Sequence, residues 1–190
     1  MFVSFYKFVG LIKLNPTMKQ EFTVRNASPD EFEEIGRKLV LVYSQLEGFP
    51  KETEQPEYYK MLANIGELTR KPETELLVAV SASSEIVGSV VYFSDMQYYG
   101  SGGTATQETN ASGFRLLGVD QAFRGKGVGK LLTMECIRRA KEKKNTQVII
   151  HTTKAMQTAW EMYEGIGFKR SEDLDFMQGE LPVFGFRFKF

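Results

Sequence analysis

Leu116-Leu117-Gly118-Val119-Asp120-Gln121-Ala122-Phe123-Arg124-Gly125-Lys126-Gly127-Val128-Gly129-Lys130-Leu131-Leu132 is an apolar run that stops at a glycine-rich turn and then resumes with a different period. Phe114–Val119 reads as a strand, and the pattern from Gly129 onward reads as a helix. A turn so rich in glycine cannot cover its backbone N–H groups with side chains. Those groups point outward at the positive end of the helix, which makes a seat for a pyrophosphate. Spacing tests which phosphate-bearing molecule sits there. A dinucleotide-binding G-x-G-x-x-G counted from Gly125 needs a third glycine where Lys130 stands. A P-loop ending at Gly129-Lys130 needs a hydroxyl where Leu131 stands and a first glycine where Arg124 stands. Both patterns fail. The spacing that fits is R-x-x-G-x-G on Arg124, Gly127 and Gly129. A plain strand-to-helix turn uses the same residues, so the motif needs support from the rest of the chain.

The 190 residues suffice for one domain with a real core. Lysine plus arginine and aspartate plus glutamate balance at 24 each, which removes the electrostatic case for a nucleic acid or an anionic membrane as partner. Cys136 is the single cysteine, so no internal disulfide forms. It lies four residues from both Leu132 and Ala140, on the apolar face of a helix, where it acts as a small hydrophobe. One cysteine and one histidine leave little material for a zinc site, and no metal is expected. Fifteen phenylalanines and eight tyrosines suit a sheet-rich core or an apolar cleft. Met1–Leu14 is apolar but broken by Lys7 and Lys13, too short and too charged to span a membrane and a poor signal peptide. Residues 1–17 are expected to be an extension or an upstream start, with a single domain over 18–190 in a soluble, cytoplasmic protein.

Working outward from the turn, the elements follow in order. Phe22–Arg25 alternates as a strand. Ser28 as N-cap, Pro29 at the first helical position and Glu31 closing a capping box start a helix that carries Phe32, Ile35, Leu39 and Val42. Pro56 opens a second helix through Tyr59, Leu62 and Ile65. Leu76–Val80 and Ile86–Phe93 form a hairpin, and Gly100–Gly113 is a polar loop with the length of a lid. After the glycine turn come a helix to about Lys144, a strand Gln147–Thr152 and a helix Ala155–Glu164. Strand-like sequence follows Gly165–Phe168, and Val183–Phe190 alternates with a phenylalanine face. The order β-α-α-β-β-β-α-β-α-β-β implies an α/β (α+β) fold with a mixed, mostly antiparallel sheet flanked by helices.

Arg124–Gly129 resembles the acyl-CoA signature of the GNAT superfamily of N-acetyltransferases, and a second stretch agrees with it. Ala159-Trp160-Glu161-Met162-Tyr163-Glu164-Gly165-Ile166-Gly167-Phe168 is similar to the family's A-x-x-x-Y-x-x-x-G-F, and the strand Gln147–Thr152 feeds into it. The resemblance covers residues 20–190 and implies the acyl-CoA N-acyltransferase fold with acetyl-CoA as co-substrate. On that resemblance, Arg124, Gly125, Lys126, Gly127, Val128 and Gly129 would bind the pyrophosphate through turn amides, with charge from Arg124 and Lys126. Leu117, Gly118 and Val119 would pair with the pantetheine arm as with an added strand, the Val119 N–H lying near the thioester carbonyl. Tyr163 would be the acid that protonates the departing thiolate. It shares a helical stripe with Met156 and Ala159. The family often has Asn where Met156 stands, and methionine cannot donate that hydrogen bond.

The general base stays open among His151, Asp95, Asp120, Glu47 and a chain of waters. The acceptor is expected to be a primary amine of a small molecule or peptide. Glu47, Glu52, Glu54, Glu57, Tyr98 and Tyr99 would suit a cationic one. The resemblance also allows a homodimer. Two other readings remain: an acyl-CoA-binding regulatory module without turnover, and an acyltransferase for longer acyl-CoAs or hydroxyl acceptors.

Overall fold

The computed structural model describes residues 21–190, so the expectation for residues 1–17 lies outside the described residues. Chain order runs β1 (Phe22–Asn26), α1 (Phe32–Ser44), α2 (Pro56–Ala63), β2 (Thr74–Ser81), β3 (Ile86–Phe93), β4 (Ala111–Val119), α3 (Val128–Glu142), β5 (Gln147–Thr152), α4 (Gln157–Ile166), β6 (Lys169–Arg170), β7 (Phe176–Gln178) and β8 (Leu181–Lys189). This is the expected order with one strand added. At three residues, β7 is too short to carry a readable alternation. The sheet runs β1-β2-β3-β4-β5-β8-β6, with β7 paired to β8. Among the described residues only β4 and β5 are parallel neighbours.

Period-two alternation sorts the side chains between the two helical layers. Leu76, Val78 and Val80 of β2 pack with Ile35, Leu39 and Tyr43 of α1. Leu77 and Ala79 pack with Leu132, Cys136 and Ala140 of α3. Both faces are covered, so β2 and β3 are apolar nearly throughout. Cys136 is fully buried and burial pushes its thiol up, as expected of an inert core residue. The helix start behaves as its residues dictate: Ser28 N–H donates to Glu31 Oε2 at 2.7 Å. The Arg25 guanidinium also holds Glu31, keeping its carboxyl below the usual range. Pro29–Glu31 is a 3-10 turn, and the α-helix proper begins at Phe32. Gly36 lets α1 cross α2, since a Cβ there would stand 2.1 Å from the Ala63 carbonyl oxygen.

The feature that makes a site is the parting of β4 from β5. They pair over only Ala111↔Gln147, Ser112↔Val148 and Gly113↔Ile149. Beyond Gly113, β4 carries a bulge. Ser89 of β3 stands opposite Gly118 and Val91 opposite Arg115, so Leu116 and Leu117 together face Val90 alone. Leu116 takes φ +58°, a left-handed conformation uncommon for a side-chain-bearing residue. Phe114 and Leu116, two apart, consequently join opposite cores.

The loop before β4 is packed rather than the free lid expected from its composition. Thr104 Oγ1 donates to the Asp173 carbonyl at 2.8 Å, Glu108 pairs with Arg187 at 2.5 Å, and Ala105 is buried.

Candidate active site

The parting of β4 from β5 opens a cleft of about 470 Å³. The β4 backbone and the glycine turn form one wall, and Met156, Ala159, Met162 and Tyr163 of the α4 segment form another. Tyr43 of α1 and His151 and Thr152 of β5 close the inner end.

The turn folds as the sequence demands. Asp120 accepts from Ala122 N at 3.1 Å and starts the bend. Gly125 and Gly127 then take φ +74° and +84°. A Cβ at either would meet nothing within 4 Å, so the dihedral, rather than crowding, calls for glycine. Gly127 is the N-cap of α3, and Leu131 is the first amide in the helix to bond back, donating to the Gly127 carbonyl at 2.9 Å. Among the described residues no backbone acceptor takes the amides from Gly125 to Lys130. They form a cluster of free donors at a helix's positive end.

Strand pairing aims the next donors. Asp120 N donates to the Val87 carbonyl at 2.9 Å. The neighbouring pair Gly88↔Val119 is therefore of the non-hydrogen-bonded kind, and the Val119 N–H and C=O point away from β3 toward the parted side. Arg124 Nε lies 3.5 Å from that carbonyl, and Tyr43 Oη lies 3.5 Å from the Leu117 carbonyl.

Of the residues the sequence singled out, the fold brings Leu117, Val119, Arg124, Gly125, Gly127, Val128, Gly129 and Tyr163 to this cleft. Two sit elsewhere. Gly118 turns toward α1, where a Cβ would come within 2.7 Å of Leu39. Lys126 folds its ammonium 4.9 Å over the Phe123 ring.

Tyr163 is clamped by Phe114 and Phe168, with ring centroids 5.8 and 5.7 Å away. Burial pushes its phenol up, so it stays protonated. His151 does not read as a base. Its Nε2 donates to the Leu174 carbonyl at 2.9 Å, which leaves Nδ1 to accept from Tyr99 Oη at 3.2 Å. Burial pushes its pKa down to about 4. Asp120 is engaged by Lys38 at 3.1 Å. Burial opposes its charge, but the Ala122 amide and Lys38 outweigh that and hold it below the usual range. Asp95 caps Gln97 N, and Glu47 is exposed. Glu52, Glu54 and Glu57 are also exposed and do not line the cleft. Among the described residues no carboxylate lines the cleft. Tyr43, Thr152 and Arg115 are among the lining residues that escaped the sequence reading. Of these three, Arg115 carried a signal, as the one charge within the apolar run Phe114–Val119.

The described residues include no helix long and apolar enough to cross a membrane. Solved structures share this architecture at low identity, which speaks for the fold. One is a PaiA N-acetyltransferase from Thermoplasma acidophilum in complex with coenzyme A. It is 16% identical over 89% of this chain and 99% of its own, with a TM-score of 0.66. A GNAT-family acetyltransferase from Staphylococcus aureus Mu50 is 17% identical over 88% of this chain and 98% of its own, TM-score 0.64. A GCN5-related N-acetyltransferase from Kribbella flavida is 16% identical over 90% and 98%, TM-score 0.64. No curated protein matches this sequence significantly. The family model described as Acetyltransferase (GNAT) family matches residues 39–168, spanning the bulged strand, the glycine turn and the tyrosine helix, and the chain belongs to that family.

Proposed function

We propose that the protein transfers an acetyl group from acetyl-CoA to a primary amine of a small molecule or peptide, by direct attack and with Tyr163 as the acid. The observation that carries this reading is the continuity of one cleft from the free amides of the glycine turn, past Leu117 and Val119, to Tyr163. The residues fit the group. Unpartnered amides at a helix N-terminus suit a pyrophosphate, and the outward backbone of Leu117 and Val119 suits the amides of a pantetheine arm. Acetyl-CoA brings the acetyl group as a thioester and departs as a thiol.

The chain's own part is to bind, orient and handle protons. Helix polarity at Val128 adds about 0.3–1 kcal/mol for an exposed anion. The Val119 N–H offers a donor for a carbonyl oxygen in the cleft. Tyr163 keeps its proton at neutral pH because its site is apolar, and its hydroxyl has no partner among the described residues. The acceptor's proton has no protein base to receive it: His151 is neutral with both ring nitrogens engaged, and carboxylates are absent from the cleft lining among the described residues. It leaves to water. A lysine-like amine at pH 7.4 is neutral in only about one molecule per thousand, so turnover should climb with pH toward the acceptor's own pKa.

The test is thiol release from acetyl-CoA over a panel of amines, amino acids and peptides. Release above background with a primary amine, rising about tenfold per pH unit between pH 6.5 and 8.5, is expected. Tight acetyl-CoA binding with no release from any acceptor would instead make the protein an acyl-CoA-binding module.

A further inference from the structure

Beside the inner end of the cleft lies a smaller pocket of about 70 Å³, which shares Arg115, His151 and Thr152 with it and is walled further out by Phe49, Tyr58 and Phe176. Its charge is unusual. Arg115 is half-buried, and none of the described residues places a carboxylate within salt-bridge distance of it. Tyr43 and Tyr58 are held neutral by burial, and His151 is neutral as well. Asp175, the acid nearest in influence to His151, is already bound by Arg170 at 2.7 Å and by Gly185 N at 2.8 Å. The pocket therefore carries one uncompensated positive charge.

The guanidinium is held rather than loose. Nη1 donates to the carbonyls of Tyr99 at 2.9 Å and Gly100 at 2.6 Å, and Cζ lies 5.5 Å over the Tyr99 ring. That anchoring uses one nitrogen. Nε and Nη2 have no acceptor among the described residues, and they form the edge of the fork that matches a carboxylate bidentately. Two further polar groups stand in the same wall. Thr152 and Thr153 are 2% and 4% exposed, and their hydroxyls have no partner. A half-buried cation and two buried hydroxyls left unmatched are costly unless a ligand completes them. A free volume of 70 Å³ holds roughly five to seven water-sized groups, about the size of an aminoacyl head.

We infer that this pocket is the acceptor subsite and that it selects an amine bearing a carboxylate, a free amino acid in the simplest case, through the Nε–Nη2 edge of Arg115. The inference rests on the acetyltransferase reading for what happens to the amine, but not for the binding itself. A carboxylate on Arg115 would hold the amine at the inner end of the cleft that Tyr163 also lines.

Binding to the CoA-saturated full-length protein, measured by calorimetry, tests this without turnover. Alanine and phenylalanine are each compared with their carboxamides and with ethylamine and phenethylamine. The amino acids should bind at least roughly tenfold more tightly than either analogue, as a charge-assisted bidentate contact requires. Arg115→Gln should collapse that ratio toward one. Arg115→Lys, which keeps the charge but loses the fork, should recover only part of it. Equal binding of acid, amide and amine by the unaltered protein overturns the inference, even if Arg115→Gln does not fold. So does an Arg115→Gln variant that weakens CoA while keeping the amino-acid preference, since Arg115 would then serve the cofactor. Carboxylate-selective binding with no acetylation of any amine would leave the subsite standing and refute the acetyltransferase reading alone.

Discussion

Tyr163 joins two properties that usually exclude each other, a ring locked in the core and a hydroxyl left to the cleft. Phe114 and Phe168 grip the ring from two sides, and no described residue takes the hydroxyl as a partner. Tyr163→Phe therefore removes one oxygen and no packing. If the phenol is the acid, kcat should fall by roughly a hundredfold or more while acetyl-CoA affinity stays within about twofold, read by stopped-time thiol release and by calorimetry. Unchanged kcat would strip Tyr163 of its role. At this scale the sequence was legible where a motif fixed a backbone or a core position, as at Gly127 and Tyr163. It was silent on where a long side chain settles among its neighbours. Lys126 prefers the Phe123 ring, and the acidic run Glu47–Glu57 stays exposed, leaving Arg115 as the charge that reaches the pocket. Nothing in residue spacing tells a solvated carboxylate from one that lines a pocket.

Among the elements, β4 and the turn after it decide whether a cleft exists. A short apolar run announced β4 as a strand, but such a run is blind to a bulge, because Leu116 and Leu117 are apolar whichever face each takes. The glycine turn was legible because its dihedrals exclude other residues. Gly127→Ala places a Cβ at φ +84°, where space is free but the conformation is not. It should destabilise the protein by about 1–2 kcal/mol and weaken acetyl-CoA severalfold, by turning the first amides of α3 out of register. Gly165→Ala supplies the contrast, since Gly165 lies inside α4 with open space around it and no left-handed dihedral. That change should stabilise by about 0.5–1 kcal/mol in urea melts and leave CoA binding alone. Equal effects of the two substitutions would mean that the dihedral of Gly127 does not matter.

For the molecule as a whole, the order of elements and the mixed, mostly antiparallel sheet flanked by helices were legible in the sequence, whereas the strand order within the sheet was not, and the pH response depends on burial that no spacing reports. His151 is enclosed by Tyr99, Phe176 and the Leu174 carbonyl, and burial takes its pKa from 6.5 to about 4. A group whose folded pKa is depressed binds its proton more readily unfolded. Stability is therefore complete above pH 6.5 and is lost as pH falls toward 4. The size of that loss is about 3 kcal/mol at 1.36 kcal/mol per pKa unit. Glu31, Glu73, Glu135, Asp173 and Asp175 also lie below their ordinary range, each with an arginine or lysine partner. They act in the same direction but lower, below about pH 4.5, and weakly where the pairs are exposed. The two windows separate the causes. Urea unfolding from pH 7.5 to 4 should show stability falling from about pH 6.5 downward in the native protein. His151→Gln, whose amide can still donate toward Leu174, should stay flat until about pH 4.5. Parallel slopes for the two proteins between pH 6.5 and 4.5 would place the acid sensitivity in the carboxylate pairs and refute a buried, neutral His151.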